Sequence, residues 1–172
     1  MNNQPTLAAW APVAAAFVAG AVAIFGYRST QNAKRLDQKA ELYAKALAAV
    51  TAYKQLAYRI RRRPAGDSAT RKELGQVASD VHEQLTYYRH LLRLDSGKVA
   101  EAYDELVRAV YRRGKQHRDA AWRQAPTYSD LGMTQVGTYL YEDHDALDYC
   151  IYVMREQLKR PRLPAEAQDQ KL

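Results

Sequence analysis

The first 27 residues carry no charged side chain, and 21 of them, from Leu7 to Tyr27, form one mostly apolar run. A helix of about 20 apolar residues is long enough to cross the hydrocarbon core of a bilayer. Trp10 and Tyr27 stand near the ends of the run, where aromatic rings favour the headgroup layers. The run therefore predicts a single transmembrane helix over residues 7–27, preceded by a short N-terminal tail over residues 1–6.

Basic residues flank only one side of this run. Residues 1–6 contain no lysine or arginine, whereas Arg28, Lys34 and Arg35 follow the run closely. Because basic flanks stay on the cytoplasmic side, we predict an integral cell-membrane protein with its N-terminus outside and the bulk of the chain, including its C-terminus, cytoplasmic. A cleaved signal peptide is the alternative, since Ala21-Val22-Ala23 fits the cleavage pattern, but no basic residue precedes the run and the run is long for such a peptide.

All charged residues lie beyond Tyr27, where 26 basic and 19 acidic side chains give a formal net charge of +7. Arginine outnumbers lysine 17 to 9, and guanidinium groups make planar, bidentate contacts with carboxylates and phosphates. The balance indicates acidic partners such as anionic lipid, nucleic acid or an acidic protein. The single cysteine, Cys150, allows neither an internal disulfide nor a multi-cysteine zinc site, and we predict that it packs as a small hydrophobic residue.

Apolar residues recur at intervals of three and four through most of the remaining chain, which is the period of an amphipathic helix. The pattern predicts helices over residues 29–62, 70–94, 98–123 and 139–159, with a loop over residues 127–138. No stretch shows the alternation typical of a β-strand.

Four amphipathic helices joined by short connections favour an antiparallel bundle. We therefore predict an all-α fold in which an N-terminal transmembrane helix is continuous with a four-helix bundle over residues 28–160. A polar, disordered tail is expected over residues 161–172. A coiled coil that dimerises is the structural alternative, because the apolar stripes are close to heptad repeats.

Folding the helices up and down gathers basic residues at both ends of the bundle. We predict a docking site for an unknown acidic protein at the end far from the membrane, formed by Arg61, Arg62, Arg63, Arg112, Arg113, Lys115 and Arg118. The competing interpretation is that these residues complement helix C-termini and cover a solvated face. At the other end we predict contacts with anionic lipid headgroups by Arg28, Lys34, Arg35, Lys159 and Arg160. Nucleic acid is not favoured as a partner, because no base-reading motif is present.

One acidic stretch resembles a set of metal ligands, namely Glu142-Asp143-His144-Asp145 with Asp148. Acidic residues also suit the first turn of a helix, and the Glu-x-x-His pairs of di-metal bundles are absent, so a metal site is not favoured. The chain contains no nucleophile elbow and no glycine-rich phosphate loop. We therefore predict no cofactor, no catalytic residue and no enzymatic activity, with metal-dependent chemistry near His144 as the weakest alternative.

Together these features predict a non-enzymatic, single-pass membrane protein whose bundle tethers a partner at the membrane. The alternative function rests on a stripe of small residues along the apolar run, formed by Ala15, Ala19 and Ala23 with Ala16 and Gly20. Such a stripe lets transmembrane helices approach closely. A homo-oligomer built on it would permeabilise the membrane, as holins and membrane-active toxins do.

Overall fold

A computed structural model describes the backbone of residues 11–127 and 139–159, and the side chains of residues 30–127 and 139–159. It contains four α-helices: α1 (Ala11–Arg61), α2 (Ser68–Asp95), α3 (Gly97–Arg123) and α4 (His144–Lys159). No β-strand occurs in the described ranges. The predicted all-helical class with a bundle of four helices is confirmed.

The start of the last helix was predicted wrongly. Residues 139–143 are not helical, and α4 begins only at His144. Glu142 has a φ of 52°, a left-handed backbone conformation that a helix cannot contain. Leu140, in this non-helical segment, is 67% exposed. The other part of the expected loop, residues 128–138, lies outside the described residues.

Contacts divide the chain into two compact units, Met1–Ala40 and Glu41–Leu172. In the first unit, the described side chains of residues 30–40 are exposed or half-exposed. Among the residues with described side chains, no helix combines the length and the apolar character that a membrane crossing requires. The apolar run over residues 7–27 lies outside them, as does the tail over residues 161–172, so both remain predictions.

Short connections join the helices of the second unit. After α1, Pro64 lacks the N–H that a continuing helix would need. At the start of α2, the Asp67 carboxylate accepts a hydrogen bond of 2.8 Å from the Thr70 N–H, which lowers the pKa of Asp67. Ser96 alone separates α2 from α3, and its N–H donates to the Leu92 carbonyl at 2.8 Å.

Side-chain contacts give the helix directions within the second unit. Tyr43, early in this part of α1, donates a hydrogen bond to Asp95 at the end of α2. Tyr53, ten residues later, packs its ring at 5.4 Å from that of His82, further toward the start of α2. The two helices are therefore antiparallel. Tyr103 of α3 donates to the Ala46 carbonyl of α1 at 3.2 Å. α3 packs against both α2 and α4.

One apolar core fills the space between the helices. Its largest fully buried side chains are Tyr103, Leu56, Leu92, Leu106, Val99, Val110 and Cys150. Burying each large apolar side chain contributes about 1.5–3 kcal/mol. Cys150 is fully buried, so this cysteine is a packed hydrophobic residue, as predicted, and its burial raises the pKa of the thiol to about 12.

Tyr53 of α1 packs directly against Gly114 of α3. A Cβ atom at this position would lie 2.6 Å from Cε1 and 2.9 Å from Cζ of Tyr53, and closer still to its hydroxyl. The Tyr53 ring thus occupies the space that a side chain on α3 would need. A glycine is required here for packing, and a helix otherwise disfavours it.

Candidate partner-binding surface

The ends of α1 and α3 meet around one buried arginine. Arg63 is only 5% exposed, and its guanidinium lies 4.9 Å from the centre of the Trp122 ring. Its nitrogens donate to the carbonyls of Ile60 at 2.9 Å, Ala121 at 3.1 Å, Trp122 at 3.2 Å and Gln124 at 2.5 Å. The last carbonyls of a helix have no partner within the helix and carry its negative dipole end. Arg63 therefore caps two helices at once.

Arg61 and Arg118 also turn toward the fold. Arg61 donates from Nη1 to the Ala125 carbonyl and to the Thr127 hydroxyl, both at 2.9 Å. The guanidinium of Arg118 lies 4.9 Å from the centre of the Tyr53 ring. Its Nη1 is buried and has no hydrogen-bond partner in the part of the chain that the structure describes. Three of the seven residues predicted for partner docking are therefore used, wholly or partly, inside the bundle.

The remaining predicted residues, Arg62, Arg112, Arg113 and Lys115, are exposed. Arg62 belongs to the turn after α1, with its guanidinium 6.0 Å from the Tyr58 ring centre. The other three lie on α3 and, with the exposed Arg123, form what we call the α3 basic face: Arg112, Arg113, Lys115 and Arg123. Asp119 is the only acidic residue between Arg112 and Arg123. Because the Glu142 carboxylate also lies against Arg113, the four basic and two acidic side chains give this surface a net charge of about +2.

A cavity of about 310 Å³ lies at one edge of the α3 basic face. α3 contributes Ala109, Arg112, Arg113 and Gln116 to its lining, and the segment before α4 contributes Tyr141 and Glu142. Nη2 of Arg113 donates to both carboxylate oxygens of Glu142, at 3.0 and 2.9 Å. This ion pair is open to solvent, with the two side chains 45% and 68% exposed.

The segment that forms one wall of the cavity is fixed from behind by α1. Nζ of Lys54 donates to both oxygens of Asp143, at 2.9 and 3.0 Å, and the Asp143 side chain is only 5% exposed. Tyr141 donates its hydroxyl to the Lys54 carbonyl at 3.1 Å, and burial raises the pKa of Tyr141. On the other side, the His117 ring packs 4.8 Å from the Tyr141 ring. The cavity wall is thus held in place on both sides.

The acidic stretch does not gather as a set of metal ligands. Glu142 pairs with Arg113, Asp143 points to Lys54, and His144 is exposed. Within the described residues, no group of three or more His, Cys, Asp or Glu side chains could hold a metal ion. Sequence reasoning missed Lys54, Gln116 and Tyr141, and no local signal marks them, because Lys54 and Asp143 are 89 residues apart in the chain.

The five residues predicted to contact lipid fall in different parts of the chain. Lys34 and Arg35 are exposed residues of the first unit. Lys159 ends α4 in the second unit, where it is exposed and pairs with Glu156 at 2.8 Å. The side chains of Arg28 and Arg160 lie outside the described residues.

The chain was compared with protein-family models, with curated proteins and with solved structures. None of them matches it.

Proposed function

We propose that this chain is a non-enzymatic, single-pass membrane protein whose helical bundle holds an acidic protein at the cytoplasmic surface of the membrane. The α3 basic face is the proposed docking surface. The observation that supports it most is a contrast among the arginine and lysine side chains. Arg63 donates its hydrogen bonds to backbone carbonyls within the fold. The side chains of Arg112 and Lys115 form no hydrogen bond or ion pair within residues 30–127 and 139–159.

Exposed charges of one sign favour rapid, salt-dependent association with a surface of opposite sign. The Debye length is about 8 Å at physiological ionic strength, so the partner's acidic residues must come close to this face to be recognised. The membrane part of the proposal rests on the apolar run over residues 7–27 and on the basic residues that follow it.

The docking surface can be tested by photocrosslinking inside cells. A photoreactive amino acid at Gln116, between the basic residues, should give an adduct with one protein that depends on the α3 basic face. Reversing two charges in Arg112→Glu/Lys115→Glu should abolish this adduct. The matched control, Lys98→Glu/Arg155→Glu, makes the same change in net charge at exposed positions of α3 and α4 outside the face and should retain the adduct. Equal adducts in both backgrounds, or no adduct in either, would refute docking at this face.

The orientation can be tested with a cysteine at Gln168 and an impermeant maleimide. The wild-type chain serves as the control, because Cys150 is fully buried and its pKa is raised to about 12. We expect membrane-bound protein that is labelled only after cell lysis. Labelling of intact cells, or release of the protein from the membrane fraction, would contradict the proposed orientation and anchor.

A further inference from the structure

We infer that the cavity beside Arg113 binds the phosphate group of a small phosphomonoester, which takes the place of the Glu142 carboxylate. The inference goes beyond the proposed function, because it requires neither a protein partner nor a membrane. It rests on three features of the cavity: its excess of hydrogen-bond donors, its internal carboxylate and its size.

The lining offers more donors than the chain itself uses. Arg113 donates only its Nη2 to Glu142. Arg112 lines the same cavity and forms no hydrogen bond within the described residues, and Gln116 adds a side-chain amide. A phosphate group brings three acceptor oxygens and a charge of about −1.5 to −2 at neutral pH, whereas a carboxylate brings two oxygens and one charge. Two guanidinium groups therefore match a phosphate better than they match Glu142.

Glu142 shows that an anionic group fits beside Arg113, and it is placed so that it can leave. Its side chain is 68% exposed, so water can replace Arg113 as its partner. Asp143 stays fixed to Lys54, so the cavity wall remains in place when the Glu142 side chain swings outward.

The size of the cavity selects a small ligand. Its volume of about 310 Å³ is at the low end of the range for small-molecule sites. That volume equals roughly ten water molecules at about 30 Å³ each, which accommodates a phosphate group together with a short organic part. Ala109 contributes the smallest side chain of the lining, beneath the two arginines.

The test is calorimetric titration of the full-length chain, purified in detergent, with glycerol 3-phosphate and with acetate at the same ionic strength. We expect binding of glycerol 3-phosphate that is lost at least tenfold in Arg113→Gln. Glu142→Gln removes the internal competitor and should tighten binding about two- to fivefold, the usual worth of an exposed ion pair. Affinity should rise between pH 5 and pH 7, because the second proton of a phosphate leaves near pH 6.

The matched control is Arg108→Gln, which removes the same charge from an exposed position of α3 outside the cavity and should leave affinity unchanged. Equal losses in Arg108→Gln and Arg113→Gln, or equal affinities for acetate and glycerol 3-phosphate, would overturn the inference.

Dioctanoyl phosphatidic acid carries the same phosphomonoester on a lipid. Binding of this lipid without glycerol 3-phosphate binding would identify a headgroup as the source and would refute the small-molecule ligand. The calorimetry uses the purified chain with no protein partner, and the crosslinking at Gln116 reports only an adduct with a protein, so the two proposals fail separately.

Discussion

Glu142 and Asp143 are neighbours in the chain and have the same charge, yet their surroundings are opposite. The Asp143 side chain is 5% exposed and is held by Lys54 from α1, whereas the Glu142 side chain is 68% exposed and pairs with Arg113 at the surface. Removing a buried charge partner leaves an uncompensated charge, but water replaces the partner of an exposed charge. Asp143 therefore supports the fold from the inner side of the segment before α4, and Glu142 on its outer side is open to solvent.

The arginines divide in the same way. Arg63 donates to four carbonyls at the ends of α1 and α3 and is 5% exposed, whereas Arg112 is exposed and forms no such bond among the described residues. Both belong to the same predicted basic cluster. Charge alone thus says little about the role of a residue here, and the following variants separate the inner contacts from the outer ones.

The largest loss of stability is expected for Arg63→Ala. It leaves buried carbonyls at the ends of α1 and α3 without donors, and we expect the free energy of unfolding to fall by about 3 kcal/mol. Arg63→Lys should retain less than half of this stabilisation, because an ammonium group cannot reproduce the planar arrangement of N–H donors in the guanidinium. Urea unfolding followed by circular dichroism measures both. Arg112→Ala should change the free energy of unfolding by no more than about 0.5 kcal/mol. A larger loss would contradict the distinction between Arg63 inside the fold and Arg112 at the surface.

The Lys54–Asp143 pair should respond asymmetrically to removal of either partner. Lys54→Ala leaves the buried carboxylate of Asp143 unpaired, and we expect a loss of about 3 kcal/mol. Asp143→Ala should cost clearly less, because the Lys54 side chain is 31% exposed and can reach water. Glu142→Gln, the outer counterpart, should be nearly neutral. The same unfolding titration ranks the three variants, and equal losses for Lys54→Ala and Glu142→Gln would contradict the contrast.

Gly114 tests the packing beneath the α3 basic face. Gly114→Ala should destabilise the fold by about 1–3 kcal/mol, because the new methyl group meets the Tyr53 ring. Adding Tyr53→Phe removes the hydroxyl nearest to that methyl group, so the double variant should lose less than the sum of the single variants. Gly75→Ala is the matched control. It lies in α2 with no atom within 4 Å of the added Cβ, and we expect it to gain about 0.5–1 kcal/mol.

The smallest effect is expected at Asp67, and it depends on pH. The Thr70 N–H lowers the pKa of Asp67 in the folded chain, so the carboxylate stabilises the fold above about pH 4. That contribution is lost as the pH falls through the lowered pKa. Asp67→Asn keeps an acceptor at the helix start but has no charge to lose. Between pH 5 and pH 3 the melting temperature of Asp67→Asn should therefore fall less than that of the wild type, and parallel decreases would disprove the assignment.

The helices were predictable because periodicity and helix breakers act locally. Pro64 and Gly66 mark the end of α1, and the predicted starts of α2 and α3 lie within two residues of Ser68 and Gly97. The start of α4 was missed, since nothing near Glu142 indicates a left-handed backbone. The sequence also did not show which arginines are buried and which are exposed. The burial of Arg63 depends on its hydrogen bonds to carbonyls such as that of Ala121, which is 58 positions away in the chain.

The fit of Tyr53 against Gly114 also constrains how the bundle can move. Sliding α1 by one turn along α3 would bring the ring opposite Val110 or Arg118, each of which has a side chain where the glycine leaves space. A one-turn shift of one packed helix along another is one route of conformational switching, and the contact of Tyr53 with Gly114 opposes it here. We expect residues 41–61 of α1 to move together with α3 as one rigid pair. Any rearrangement within this unit must then come from α2, from α4 or from the segment before it.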